Sequence, residues 1–166
     1  MNFLDQNFKK NPWPYVFQSL CASVYILFIL LFLDIRHNAA IIASLGASVF
    51  LVFTTPRQYY AHPKPLIGGY LVGILMGVLF SYLAHTVLIE TVFAGDIRHV
   101  VCGALAVGIS IFLMVITDTE HPPAAGMALS LVLGAWNLYT VTFIVTAVIF
   151  LSLLKKILNP FLKKLI

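Results

Sequence analysis

The chain has 166 residues, of which 61% are hydrophobic and 10% are charged, and its mean hydropathy is +0.99. A water-soluble domain of this size cannot hide so much apolar surface, so the composition excludes a soluble globular protein and predicts an integral membrane protein. The formal net charge of +4 does not indicate nucleic-acid binding, because the lysines cluster near both chain ends, where they suit anionic lipid headgroups.

Six hydrophobic segments follow one another along the chain. We expect them to be helices, because a backbone in lipid must satisfy its own hydrogen bonds. The segments cover residues 15–33, 38–54, 66–89, 97–117, 123–133 and 137–154. Segments two and five are short or marginal against the ~20 residues of a full crossing. The predicted fold is therefore an all-α polytopic membrane protein whose second and fifth helices are half-length, tilted or sheltered by the others.

The basic residues set the predicted orientation of these segments. If all six segments cross, the N-terminus, the 55–65 loop, the 118–122 loop and the C-terminus share one face. That face collects Lys9, Lys10, Arg57, Lys64, Lys155, Lys156, Lys163 and Lys164, against Arg36 and Arg98 on the other. The positive-inside rule then places both termini in the cytoplasm of a bacterial-type inner (plasma) membrane. If segments two and five were re-entrant instead, Arg57 and Lys64 would change sides and this bias would weaken.

A short similarity between two parts of the sequence indicates an internal repeat. Residues 34–40 resemble residues 118–124 at an offset of 84, with His37 aligned to His121 and Ala40 to Ala124. Each copy ends a full-length segment and begins a short one. Three segments per half would invert one half relative to the other in the membrane, as in many transporters, with halves at about 15–89 and 97–158. Chance similarity over a few residues is the alternative.

Small residues recur at helical spacing in several segments. Gly69, Gly73 and Gly77 stand at every fourth position of segment three, and small side chains let membrane helices pack closely. We predict that these glycines form a helix-packing face. In segment two the hydroxyls of Ser44 and Ser48 fit the lining of a solute path as well as they fit packing.

The predicted membrane core is poor in fixed charge. The interiors of segments one, two, five and six contain no Asp, Glu, Lys or Arg, whereas ion-coupled pumps usually bury a carboxylate. A transporter with this core would hold its solute through hydroxyls, dipoles and backbone amides. Cys21 and Cys102 lie singly in apolar runs, which favours packed cysteines over a disulfide or metal site. We expect no metal and no cofactor.

The start of segment five has features of an anion site. Pro122 and Pro123 suit the first turn of a helix, because proline lacks an N–H and has a preset φ. The amides of Ala124, Ala125 and Gly126 would then lack an acceptor inside the helix and lie at the positive end of its dipole. The alternative is a helix start that is capped by the preceding polar residues or by water and binds no ligand.

His121 and the start of segment two complete the predicted path. His121 would donate to the anion or shuttle a proton near neutral pH, although it would also serve as a cap for segment four. Asn38, Ser44 and Ser48 would line the opposite side of the path, between the two halves. Glu120 and His121 are adjacent, so they would point in different directions on a helix, and acid–base or metal chemistry is disfavoured. We therefore predict that the protein is not an enzyme.

Three motifs stand in order along the chain: Ser-Leu-Gly-Ala-Ser at 44–48, Ala-His-Pro-Lys-Pro-Leu-Ile-Gly-Gly at 61–69, and His-Pro-Pro at 121–123. In type, order and spacing they resemble the HPP family of integral membrane proteins, which is named for the third motif. The resemblance covers roughly residues 15–155. The chain departs from the family pattern at His62, where the family usually has Gln, and at Tyr70, where it often has His.

The resemblance implies a single transmembrane HPP domain over residues 1–166, and it adds Gly46 of the first motif to the predicted path. It also implies transport of a small anion, with nitrite as the leading candidate, because the family's best-described role is nitrite transport in plastids and cyanobacteria. The expected partners are the lipid bilayer and that anion. Two alternatives stay open: a passive small-solute channel, and a non-transporting membrane scaffold that forms a homo-oligomer through Gly69, Gly73 and Gly77.

Overall fold

The computed structural model describes residues 5–34, 37–93 and 95–165, and within these ranges the regular structure is helical, without strands. A single 3₁₀ turn, Tyr59–Ala61, interrupts the connection between the third and fourth helices. The helices are α1 (Gln6–Lys10), α2 (Trp13–Phe32), α3 (Ala39–Thr54), α4 (Pro63–Ala84), α5 (Val87–Val92), α6 (Ile97–Ile116), α7 (Pro122–Leu133) and α8 (Leu138–Leu158).

Four of these helices are long and apolar enough to cross a membrane. α2, α4, α6 and α8 have 20 to 22 residues each, which matches the thickness of a bilayer core. α3 and α7 are apolar but shorter, with 16 and 12 residues. Each predicted segment corresponds to one of these six helices, and the two predicted short segments are α3 and α7.

The prediction for segment three is wrong at its C-terminal end. α4 ends at Ala84, and Ile89 belongs to the separate short helix α5. The His85 side chain contacts the Ser81 carbonyl at 2.9 Å, and Thr86 has the extended φ of −79° and ψ of 145°, which stops the helix. The apolar run simply continues through this break, so hydropathy does not reveal it.

Hydrogen bonds bring the chain ends together at one end of the bundle. The buried side chain of Gln18 donates to the carbonyls of Phe53 and Lys163 and accepts from the Lys163 amide at 2.8 Å. The Leu165 amide donates to the Thr54 carbonyl at 2.9 Å. The start of α2, the end of α3 and the C-terminal residues therefore meet at the same end.

The segment that leads into α4 and the loop between α6 and α7 also lie at this end of the bundle. Lys64 pairs with Asp118 at 2.5 Å, and the Tyr59 hydroxyl donates to the Asp118 carbonyl at 2.5 Å. We call this the basic end, because its residues include Lys10, Arg57, Lys64, Lys155, Lys156, Lys163 and Lys164. At the opposite end Arg98 pairs with Glu90, whereas Arg36 lies outside the described residues.

The outer faces of the long helices are apolar. In the isolated chain, large side chains such as Val24, Leu31, Leu75, Phe112 and Leu153 are exposed on α2, α4, α6 and α8. An apolar surface of this extent needs lipid as its solvent. The protein is therefore an integral membrane protein with its polar contacts turned inward.

The glycine row of α4 faces α7. A methyl group added at Gly73 would lie 2.2 Å from the Ala124 carbonyl oxygen, and one at Gly77 would lie 2.9 Å from that of Ala128. Only a residue without a side chain permits such backbone contact. The row is covered by a helix of the same chain, so this surface is not open to a second copy.

Replacing Gly73 with Ala should destabilise the protein by about 1–3 kcal/mol, because the new methyl group would overlap the α7 backbone. The measurement is the thermal unfolding of purified protein in a neutral detergent. Gly108→Ala is the matched control, since nothing lies within 4 Å of the added methyl group on α6. Equal melting temperatures for the two variants would show that the α4 and α7 backbones are not in close contact.

Candidate functional site

The loop between α6 and α7 reverses the chain at Asp118. This residue has a φ of 55°, a left-handed conformation that Asp tolerates better than most side chains do. Its carboxylate accepts from Lys64, which is the main reason that the pKa of Asp118 is lowered, with a smaller contribution from Tyr59. Thr119 continues the loop with its hydroxyl 2.8 Å from that of Thr117. Two residues later, His121 thereby enters the interior of the bundle.

His121 is completely buried just before α7, with both ring nitrogens engaged. Nδ1 lies 2.7 Å from the Tyr60 carbonyl oxygen, and Nε2 lies 2.7 Å from Ser48 Oγ. A carbonyl only accepts, so the hydrogen bonding assigns the proton to Nδ1 and lets Nε2 accept from the Ser48 hydroxyl. Desolvation lowers the pKa of His121 to about 4, and the bond to Tyr60 opposes this shift. The imidazole is therefore neutral at neutral pH.

Tyr70 and Ser44 extend this arrangement. The Tyr70 hydroxyl lies 2.8 Å from Ser48 Oγ and 3.1 Å from the Ser44 carbonyl oxygen, and the Ser44 hydroxyl donates to the Pro123 carbonyl at 2.6 Å. We call His121, Ser48, Tyr70 and Ser44 the buried polar cluster. It joins α3, α4 and the start of α7, and its bonds satisfy groups that would be costly to leave unpaired away from water.

The structure brings part of the predicted path together. The Ser44 hydroxyl is bonded to the Pro123 carbonyl, and the Ser48 hydroxyl is bonded to His121. Ser48 sits one helical turn after Ser44 on α3, so both hydroxyls face α7.

The small residues of α7 are divided between the interior and the surface. The side chains of Ala124 and Ala125 are buried, whereas Pro122 and Gly126 are exposed. The Ala124 amide donates to the His121 carbonyl at 2.9 Å. The prediction that this amide lacks an acceptor is therefore wrong, because the residue that precedes a helix already offers its carbonyl to the first turn.

Asn38 and Gly46 lie apart from the cluster. Asn38 precedes α3, about 15 Å from Ser48 at 1.5 Å per residue, and its Nδ2 donates to the Asp34 carbonyl at 3.1 Å. A methyl group at Gly46 would lie 3.8 Å from Ile26 on α2. His37, which aligns with His121 in the predicted internal repeat, is exposed, and its Nδ1 lies 2.8 Å from an Asp34 carboxylate oxygen. The two aligned helix starts thus have different surroundings.

Sequence reasoning missed two members of this site. Tyr70 stood out only as a departure from the family pattern, yet its hydroxyl contacts both serines of the cluster. Tyr60 contributes a backbone carbonyl, which no side-chain pattern reveals. The i,i+4 spacing of Ser44 and Ser48 marks a shared face, but it does not show which helix that face meets.

One cleft reaches the cluster from the side of α6. It has a volume of about 310 Å³ and is lined by residues that include Met114, Glu120, His121 and Ala125. Because both imidazole nitrogens are already bonded, a solute can bind the ring only when one of these bonds opens. In the described parts of the chain, no three His, Cys, Asp or Glu residues are grouped to hold a metal ion.

A family model and two known proteins each match most of the chain. The family model for the transmembrane region of HPP proteins matches residues 7–164. Two transmembrane proteins of Dictyostelium discoideum are each 30% identical to the chain, over 129 and 134 residues, or 75% and 78% of it. These alignments cover 42% and 40% of the relatives, so the chain spans less than half of their length. No solved structure matches the chain.

The neutral state of His121 predicts a pH-dependent stability. The pKa of His121 is about 4 in the folded protein against 6.5 for the free side chain, so the unfolded chain binds its proton first as the pH falls. The contribution of His121 to the free energy of unfolding is complete above pH 6.5. It should decrease by on the order of 1 kcal/mol per pH unit from there to about pH 4.

The measurement compares the melting temperatures of the wild type and His121→Gln at pH 7.5, 6 and 5. The effects of the titrating groups that both proteins contain cancel in the difference between the two melting temperatures. The difference between them should shrink as the pH falls. Ser110→Ala removes a buried hydroxyl that has no hydrogen-bond partner and leaves every histidine in place, so its difference from the wild type should stay constant. A constant difference for His121→Gln as well would contradict burial of a neutral imidazole.

Proposed function

This chain belongs to the HPP family of integral membrane proteins, and from that membership we propose that it transports a small inorganic anion, with nitrite as the leading candidate. A family supplies a class of function but does not choose the solute. The choice of an anion rests on the chemistry of the residues themselves. The proposal assigns no catalytic step to the protein.

The buried polar cluster is the observation that carries the proposal. It contains the hydroxyls of Ser44, Ser48 and Tyr70 beside a neutral His121, and no carboxylate is among its members. Each hydroxyl can turn from its present acceptor and donate to a solute. An anion accepts such bonds without a fixed countercharge, whereas a cation in a membrane interior is usually paired with a carboxylate, which this cluster does not contain.

The start of α7 strengthens this preference. The positive end of a helix dipole stabilises negative charge close to the first turn. Pro122 and Pro123 have no N–H, and the Ala124 amide is already bonded to His121. The dipole therefore contributes through its field, while direct hydrogen bonds to the solute come from the side chains of the cluster.

We further propose that the helices form two inverted halves, α2–α4 and α6–α8, with the path between them. In support, each half has the order long, short, long, and the two short helices pack against each other. The halves are not packed identically, because α4 contacts α7 much more extensively than α8 contacts α3. Alternating access moves one half relative to the other, so unequal packing of the two halves is compatible with it.

The basic end sets the proposed orientation. It carries the basic residues of the chain ends and of the 55–65 loop, so the positive-inside rule places it in the cytoplasm of a bacterial-type plasma membrane. Both termini of the described chain lie at this end through the bonds of Gln18 and Leu165.

Cysteine labelling in intact cells tests this orientation. In a chain with Cys21 and Cys102 replaced by Ala, a membrane-impermeant maleimide added from outside should fail to label Lys64→Cys. It should label Asp96→Cys, which is exposed in the loop between α5 and α6. The reverse pattern would place the basic end outside.

Loss of the His121 side chain should strongly impair transport. In proteoliposomes, His121→Ala is expected to lower nitrite uptake by on the order of tenfold or more, because the Nδ1–H donor that opening of the Tyr60 bond would offer to the anion is removed and the cluster loses its shape. Ser110→Ala is the matched control, since it removes a buried hydroxyl of α6 outside the cluster and should retain uptake. Gel filtration and the melting temperature must show that both variants are folded.

Unchanged nitrite uptake by folded His121→Ala would overturn the role given to the cluster. The dependence of uptake on concentration separates the remaining classes: a carrier saturates, whereas a passive channel does not saturate and shows no dependence on pH or counter-ion. A scaffold would form a stable oligomer without any anion flux. The glycine row offered for that scaffold is covered by α7, which disfavours self-association through it.

A further inference from the structure

A second polar cleft lies at the basic end, away from the buried polar cluster. It has a volume of about 440 Å³ and lies between the last turns of α8 and the segment that leads into α4. Its polar lining residues are Arg57, His62, Ser152, Lys155, Lys156 and Asn159. None of these described residues is acidic, so the cleft gathers positive charge without a carboxylate to balance it.

Lys155 forms the inner part of this cleft. Only 7% of the residue is exposed, and its Nζ donates to the Ala61 carbonyl at 2.7 Å. An ammonium has three N–H donors, and this bond uses one of them. No described carboxylate pairs with Lys155, whereas Lys64 at the same end is paired with Asp118. A buried cation that meets only a carbonyl is costly, and an anion beside it would remove much of that cost.

The outer part of the cleft carries further donors. Arg57, His62 and Lys156 are exposed around it, and Ser152 places a hydroxyl one turn before Lys155 on α8. A guanidinium binds two oxygens of one phosphate at once, and ammonium groups add point charge. This donor set suits a tetrahedral oxyanion with several oxygens better than it suits a single-charged linear or bent ion.

We propose that this cleft binds a phosphate group, either as inorganic phosphate or as the phosphodiester of an anionic lipid headgroup. The shared chemistry is one anion held by Lys155 on the inside and by Arg57 and Lys156 at the opening. Basic pockets between membrane helices near the cytoplasmic surface are well placed to bind headgroups of this kind. The site is separate from the proposed transport path, and its test measures binding rather than flux.

Two probes distinguish the two sources of phosphate. The intact protein is purified in a neutral detergent, and its melting temperature is followed against inorganic phosphate, with sodium chloride at equal ionic strength as the reference. A parallel titration adds phosphatidylglycerol, with phosphatidylcholine as its reference. A ligand of the native state raises the melting temperature in a concentration-dependent way. Stabilisation by phosphatidylglycerol alone identifies a lipid site, and stabilisation by phosphate identifies a site for the free anion.

Charge-matched variants locate the site. The double variant Arg57→Gln, Lys156→Gln should weaken binding of the active probe by about tenfold or more. The control Lys163→Gln, Lys164→Gln removes the same charge at the same end but outside the cleft, and its affinity should stay within about twofold of the wild type. Lys155→Gln should also weaken binding if the variant folds. The test with the Arg57→Gln, Lys156→Gln double variant remains valid even if Lys155→Gln does not fold.

The proposal is overturned if neither probe stabilises the wild type beyond its reference. It is equally overturned if the two double variants lose affinity to the same extent, because the effect would then be that of net charge. Since no flux is measured, a failure here leaves the transport proposal unaffected. Loss of nitrite uptake in His121→Ala likewise says nothing about this cleft.

Discussion

The need to satisfy a buried imidazole organises the interior of this protein. His121 lies where neither water nor lipid can pair its nitrogens, and it takes the Tyr60 carbonyl on one side and the Ser48 hydroxyl on the other. These two bonds fix the start of α7 relative to α3 and to the 3₁₀ turn. Tyr70 then completes the hydrogen bonding of Ser48 from α4. A membrane interior offers few other sources of specificity, since apolar packing alone does not distinguish one helix face from another.

The close approach of α4 to α7 depends on the same residue. A methyl group at Gly69 would lie 2.8 Å from His121 Cβ, so the glycine row makes space for the histidine as well as for the α7 backbone. Packing and hydrogen bonding are therefore coupled at this point. A movement that opened the His121 bonds would also change the contact between α4 and α7. Under the proposed transport function, a solute that opened the His121 bonds would therefore also change the packing of α4 on α7.

The 3₁₀ turn Tyr59–Ala61 connects the two polar regions of the molecule. Its consecutive carbonyls accept from His121 and from Lys155, which belong to the buried polar cluster and to the basic cleft. The Tyr59 hydroxyl also holds the Asp118 carbonyl in the loop that leads to His121. Three bonds from one short turn thus connect α8 and the loop between α6 and α7 at the basic end. The turn has no strong sequence signal, because its contribution is largely made by the backbone.

Hydropathy and segment length were enough to locate six helices and to identify α3 and α7 as the short ones. They also predicted that the loops of the basic end lie on one side of the bundle. These predictions succeeded because hydropathy and length are local properties of the chain. The prolines at the start of α7 and the spacing of Ser44 and Ser48 on α3 also pointed to two regions that are in contact in the structure. Only the tertiary structure decided that Tyr70 and the Tyr60 carbonyl join them and that Asn38 and Gly46 do not. In a chain surrounded by lipid nearly every helix face is apolar, so the pattern that would reveal the inward face of a soluble helix is missing. Which faces meet is then set by glycine contacts and by hydrogen bonds between residues far apart in the chain.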